Sequence, residues 1–153
     1  MSKAVFITGT GTDMGKTYLS GLIVKKLAQA GKNPAYYKAA MSGNDRRADD
    51  ALFVKEMSGI SQSLDDMCPY VYENAWSPHL ASRVEGNPVD LDVVRRGFLK
   101  AANDYEYITM EGSGGILCPL CFDERKIQLE DVIKEFELSS ILVADAGLGT
   151  INS

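Results

Sequence analysis

The stretch Gly9-Thr10-Gly11-Thr12-Asp13-Met14-Gly15-Lys16-Thr17 decides the fold. Before it, Ala4 to Thr8 is a near-continuous apolar run, as expected of a parallel strand buried on both faces. After it, Thr17 to Ala30 carries Leu19, Leu22, Ile23, Leu27 and Ala30 on one helical face, and Gly31 sits where a helix ends. A glycine-rich turn between strand and helix lets the backbone wrap an anion with its N–H groups inward, and the helix N-terminus adds partial positive charge. In that context Lys16 reaches the β- and γ-phosphates of a nucleoside triphosphate, and the Thr17 hydroxyl is placed for Mg2+. Gly11, Thr12, Asp13, Met14 and Gly15 complete the cradle. Five residues separate Gly9 from Gly15, where the common loop has four.

On the C-terminal side, β-rich runs alternate with helical stretches, which predicts an α/β fold of P-loop NTPase type: a mostly parallel, twisted sheet with helices on both faces. Pro34 to Tyr37 reads as a strand ending at Lys38. Met41 to Asn44 reads as a turn followed by a mobile polar stretch to Ala48, and Asp50 to Met57 as a short helix. Pro69 to Tyr72 reads as extended. Ser77-Pro78 is a helix start, a cap residue before a first-turn proline, with the helix running through Val84 and stopping at Gly86. A longer helix is predicted over Asp90 to Asn103, with Leu91, Val94, Phe98, Leu99 and Ala102 inward. Tyr105 to Met110 is then a strand delivering Glu111 at its end, Leu129 to Phe136 a helix, and Ile141 to Asp145 the last strand.

The chain has 153 residues, 45% hydrophobic and 24% charged, which fits one nucleotide-binding domain over residues 1–153 with a core that needs no disulfide. A net charge of −5 without a basic stripe argues against nucleic-acid binding, and no apolar run approaches a membrane span. Three cysteines, an odd number, suit a reducing cytoplasmic setting. Cys118 and Cys121 have C-x-x-C spacing, but they follow a Gly-Gly turn instead of opening a helix, and no second such pair completes a zinc site. They read as two small apolar residues in a loop.

Open parallel sheets bind ligands beyond the C-terminal ends of their strands. Lys38, Asp50 and Glu111 are all predicted there, and Gly112 to Gly115 lets backbone approach closely. Mg2+ takes oxygen ligands, commonly one or two carboxylates plus phosphates and waters. Thr17, Asp50 and Glu111 supply such a set. Asp49 is a substitute ligand, and Asp50 also reads as a helix cap. His79, the only histidine, reads as a first-turn helix residue near the pocket with no acid–base task.

With these residues the sequence resembles dethiobiotin synthetase, the ATP-dependent carboxylase that closes the ureido ring in biotin synthesis. The resemblance rests on Thr8 to Thr17 with its five-residue spacing, Tyr37-Lys38-Ala39-Ala40-Met41-Ser42-Gly43, Asp50-Ala51-Leu52, Ser77-Pro78-His79-Leu80-Ala81, Met110 to Gly115, and Gly147 to Asn152, in that order. It implies that 7,8-diaminononanoate takes up CO2 (or bicarbonate) as a carbamate, which is phosphorylated by ATP and closed by the second amine. It further implies that Lys16 and Lys38 hold the carbamate and the transferring phosphoryl group, that Thr12 and Ser42 hydrogen-bond the carbamate, and that Asp13 matches an acidic or glycine position of the family loop. Gly112 would join Glu111 at the nucleotide, and Pro78 and His79 would line the substrate site. The resemblance implies a homodimer in which Gly149, Thr150, Ile151 and Asn152 of one subunit hold the substrate carboxylate bound by the other, as a helix start holds an anion.

Family members continue well past the position of Ser153, so the chain is expected to be truncated, lacking the C-terminal part of the domain and much of the adenine pocket. A cobyrinic-acid-type amide synthetase and a regulatory nucleotide switch of the same fold are the competing readings. The Ser77-Pro78-His79 segment together with Lys38 and Ser42 suits the diamine site. A switch usually carries an extra lysine early in the loop, where Thr10 and Gly11 stand here.

Overall fold

The computed structural model describes residues 2–43, 47–148 and 150. Four parallel strands form the central sheet in the order β2-β5-β1-β8: β1 Lys3–Gly9, β2 Pro34–Lys38, β5 Tyr107–Gly115 and β8 Ser139–Val143. The chain leaves β1 towards β2 on one side and leaves β5 towards β8 on the other. The crevice between the C-terminal ends of β1 and β5 is therefore where a ligand is expected.

Side-chain alternation divides β2 between two cores. Tyr36 joins Val24 of α1 (Lys16–Gln29), Ala51 and Val54 of α2 (Asp49–Ser58) and Met67 of α3 (Leu64–Met67). Tyr37 faces the larger core with Phe6, Ile108 and Met110 of the sheet. Opposite them pack Ala81 of α4 (Pro78–Val84), Val94, Phe98 and Ala101 of α5 (Leu91–Asp104), and Leu129 and Val132 of α6 (Leu129–Glu135). The predicted sheet with helices on both faces is thus present. Two small ribbons complete the fold: β3 Ala40–Ser42 pairs parallel with β4 Tyr70–Tyr72, and β6 Pro119–Cys121 pairs antiparallel with β7 Ile127–Gln128. No helix among the described residues is long and apolar enough to cross a membrane.

Several expectations need correction. The deepest face of α1 is Ser20, Gly21 and Val24, and the leucine stripe beside it is only half-buried. Small residues let α1 approach its neighbour: a Cβ on Gly21 would lie 2.6 Å from the Met57 sulfur of α2. In α5 the buried line is Val94, Phe98 and Ala101. Leu99, one residue round the helix from Phe98, is exposed. Met41 and Ser42 belong to a strand because Val71 and Tyr72, distant in sequence, pair with them. The turn comes at Gly43, with φ 103°. Glu111 lies within β5, not at its end, since pairing with β1 carries the strand through its glycines to Gly115. The last strand starts and ends two residues early, at Ser139–Val143, along the edge of β1. Ser77 makes no capping bond; its hydroxyl meets His79 Nδ1 at 2.9 Å. Cys121 is in β6, not in a loop, and α3, β6 and β7 were not predicted.

Candidate active site

The loop after β1 adopts the conformation its glycines permit. Gly15, at the start of α1, has φ 90°. Asp13 has φ 60°, a left-handed conformation that aspartate tolerates better than most side chains, which accounts for an acidic residue at a position otherwise suited to glycine. Lys16 folds back so that its ammonium donates to the Gly11 carbonyl. Burial, then the nearby charge of Lys38, lower the Lys16 pKa, while Glu111, Asp50 and Asp13 oppose the shift.

Parallel register supplies the opposite wall. Lys38 of β2 and Glu111 of β5 are direct neighbours across the sheet, so their side chains emerge on one face. The Lys38 ammonium lies 2.9 Å from Glu111 Oε1 and 2.6 Å from Asp50 Oδ2 of α2. Burial favours the neutral amine, but the charges of Glu111 and Asp50 outweigh it, and the lysine pKa rises above its ordinary value. Glu111 is 1% exposed, which would be costly for a lone charge. Here it accepts three hydrogen bonds. Oε1 accepts from Thr17 Oγ1 at 2.8 Å and from Lys38, and Oε2 accepts from the Tyr36 phenol at 3.0 Å. Burial, then the charge of Glu111, hold the Tyr36 phenol well above its usual range, so it remains a donor. Of the two neighbouring aspartates, Asp50 turns to Lys38, whereas Asp49 faces Arg47 at 3.7 Å.

These groups enclose a cavity of about 310 Å³ lined by Thr12, Asp13, Gly15, Lys16, Thr17, Tyr18, Lys38, Asp50, Glu111 and Gly114. Its size suits a small ligand. Among the described residues no group of three or more His, Cys, Asp or Glu could hold a metal ion unaided. One hydroxyl and two carboxylates converging beside a phosphate loop suit Mg2+, which completes its shell with phosphate oxygens and water. The ammonium of Lys38, within 3 Å of both carboxylates, marks the spot as one where positive charge is stabilised.

The remaining candidates lie elsewhere. Ser42, at the end of β3, donates to the Trp76 carbonyl, just before Ser77 and α4. Pro78 is buried at the start of α4. The His79 ring packs against Phe122 and lines a separate cavity of about 580 Å³ with Ser82, Arg83 and Cys121. Ser42, Pro78 and His79 therefore share one region around the start of α4, and none of them lines the phosphate-loop cavity. Gly112 serves packing, since a Cβ there would lie 3.0 to 3.2 Å from the Phe6 ring and Leu129. Met14 is absent from the lining. Gly149, Ile151 and Asn152 lie outside the described residues. The Thr150 hydroxyl donates to the Asp145 carbonyl.

A family model described as AAA domain matches residues 3–153. An ATP-dependent dethiobiotin synthetase of Brachyspira hyodysenteriae is 51% identical over 155 residues, covering 100% of this chain and 70% of its own length. Enzymes of the same name from Clostridium perfringens (46% over 157 residues, 99% and 69% covered) and Clostridium botulinum (48% over 158, 100% and 70%) agree. The chain belongs to the dethiobiotin synthetase family. In this dethiobiotin synthetase family member, sequence reasoning missed Tyr36, Tyr18 and Gly114 at the site. Tyr36 was within reach: two residues before Lys38 on one strand, it must share that lysine's face. The two spaced cysteines have different surroundings. Cys118 lies near Gly114 by the loop, its thiol pKa raised by burial against the pull of Lys16 and Lys38, whereas Cys121 faces Arg125. Both are free thiols.

Proposed function

We propose that the protein is an ATP-dependent cyclo-ligase that carboxylates 7,8-diaminononanoate with CO2 and closes the product to dethiobiotin. The observation that most supports this reading is the convergence of Lys16, Lys38, Thr17, Asp50 and Glu111 on one phosphate-loop cavity. One substrate amine adds to CO2 and loses a proton, giving a carbamate. A carbamate oxygen attacks the γ-phosphorus and ADP departs. The second amine then attacks the carbonyl carbon, phosphate leaves with the attacking oxygen, and a cyclic urea remains. The substrate supplies both nucleophiles, so the protein's tasks are positioning and charge stabilisation.

Lys16 would hold the β- and γ-phosphates, with the loop N–H groups of Gly11 to Thr17 around them. Lys38 and Thr12 would hold the carbamate against the phosphoryl group, two anions that repel each other without a cation between them. Thr17, Asp50 and Glu111 would hold Mg2+, which when bound neutralises charge developing between the β- and γ-phosphates. Ser42, Pro78 and His79, gathered around the start of α4, would receive the rest of the diamine. A homodimer sharing the Gly147–Asn152 segment across its twofold axis would supply N–H groups for the substrate carboxylate. Three free thiols fit a reducing cytoplasm.

The test is a coupled assay of phosphate release with mass detection of product. Release is expected only when ATP, diamine and bicarbonate are present together, in step with dethiobiotin. Equal release without the diamine would favour a nucleotide switch and sink this reading.

A further inference from the structure

We propose that Tyr36 is a positioning residue of the active site, its phenol fixing the Glu111 carboxylate so that Oε1 faces the phosphate-loop cavity. The inference rests on the reading of Thr17, Asp50 and Glu111 as the cation site. The two Glu111 oxygens have separate partners: Oε1 meets Thr17 and Lys38 on the cavity side, and Oε2 meets Tyr36 at 3.0 Å on the interior side. A glutamate's last torsion is soft, so a carboxylate held at one oxygen only would sample rotated positions. A donor on the second oxygen removes that freedom.

Tyr36 is itself well anchored. Its ring is fully buried among Val24, Ala51, Val54 and Met67, and its backbone N–H donates to Oε1 of the buried Gln62 at 2.9 Å. Such a pocket would take phenylalanine as readily as tyrosine. A hydroxyl brought into it is unfavourable unless it finds a partner, and the partner is the active-site carboxylate. Groups that orient a metal-binding side chain contribute to metal affinity without touching the ion. The adjacent Tyr37 is a built-in control. It is equally buried, but its hydroxyl donates to the Val94 carbonyl on the other face of the sheet.

The test compares Tyr36→Phe, Tyr37→Phe and Asp50→Asn by paramagnetic resonance of free Mn2+, titrated into the protein with a non-hydrolysable ATP analogue, alongside thermal melting. Tyr36→Phe is expected to hold Mn2+ about tenfold more weakly, the lower end of such outer-shell effects. Tyr37→Phe is expected to melt earlier with its Mn2+ affinity unchanged. If Asp50→Asn weakens Mn2+ but Tyr36→Phe does not, or if both tyrosine variants weaken it equally, the positioning role is wrong. If Asp50→Asn leaves Mn2+ binding intact, the cation site itself has been misread.

Discussion

Lys16 and Lys38 line the same cavity, yet they are held differently, and that difference separates their roles. Among the described residues Lys16 is anchored only to a loop carbonyl and can follow a phosphate, whereas Lys38 is clamped between Asp50 and Glu111. Lys16→Ala is expected to lower turnover at least about 10²- to 10³-fold, the usual cost of removing one group that stabilises transition-state charge. Its fold should be little changed. Lys38→Ala removes the cation from a buried carboxylate, a loss of about 3–5 kcal/mol for a buried pair, so it should melt earlier as well as turn over slowly. It should still bind an ATP analogue, whereas Lys16→Ala should not. Calorimetric titration of both variants with the analogue and with the diamine, plus melting curves, checks this division. Equal loss of analogue binding would contradict it.

Elements here meet most closely where glycine permits it, and two helical glycines make opposite predictions. A Cβ on Gly97 of α5 would lie 2.5 Å from the Tyr37 hydroxyl, which is buried and bonded to Val94. A Cβ on Gly21 of α1 would meet the flexible end of Met57 at 2.6 Å. Alanine gains about 0.8–1 kcal/mol over glycine in a helix, and overpacking a rigid contact costs about 1–3 kcal/mol. Gly97→Ala should therefore lose up to about 2 kcal/mol in urea unfolding, with Gly21→Ala close to neutral. The same contrast marks what the sequence could reveal. Strand β1, the phosphate loop and α1 were legible because local pattern and motif agree, and so were Lys38 as a strand-end residue and Asp50 as a helix-start residue, whereas Glu111 stands in mid-strand. The β3–β4 pairing was not, because Met41 and Ser42 find their partners thirty residues away. The glycines of β5 look like a turn until β1 is laid beside them. The buried line of α1 escaped because small residues, chosen for close approach, carry no hydrophobic signal.

At the scale of the whole molecule, the phosphate loop, the β2–β5 register and the first turn of α2 make one charged cavity, while Ser42, Pro78 and His79 gather at the start of α4. The substrate carboxylate needs a further partner, and the Gly147–Asn152 segment of a second subunit is the one proposed above. Mixing an inactive Lys16→Ala variant with one blocked by a bulky residue at Asn152 should then restore about a quarter of wild-type activity, since half the random dimers carry one intact composite site of two. A mixture that stays inactive would mean that each subunit builds its own pocket. The central claim, that the loop transfers a phosphoryl group to a carbamate, is tested most directly by isotope. The reaction is run with fully 18O-labelled bicarbonate, faster than label exchanges with water, and phosphate and product are read by mass spectrometry. Phosphate carrying one labelled oxygen per turnover, with another in the ureido carbonyl, is the expected result, because the attacking carbamate oxygen departs with phosphorus. Unlabelled phosphate formed alongside dethiobiotin would contradict the account.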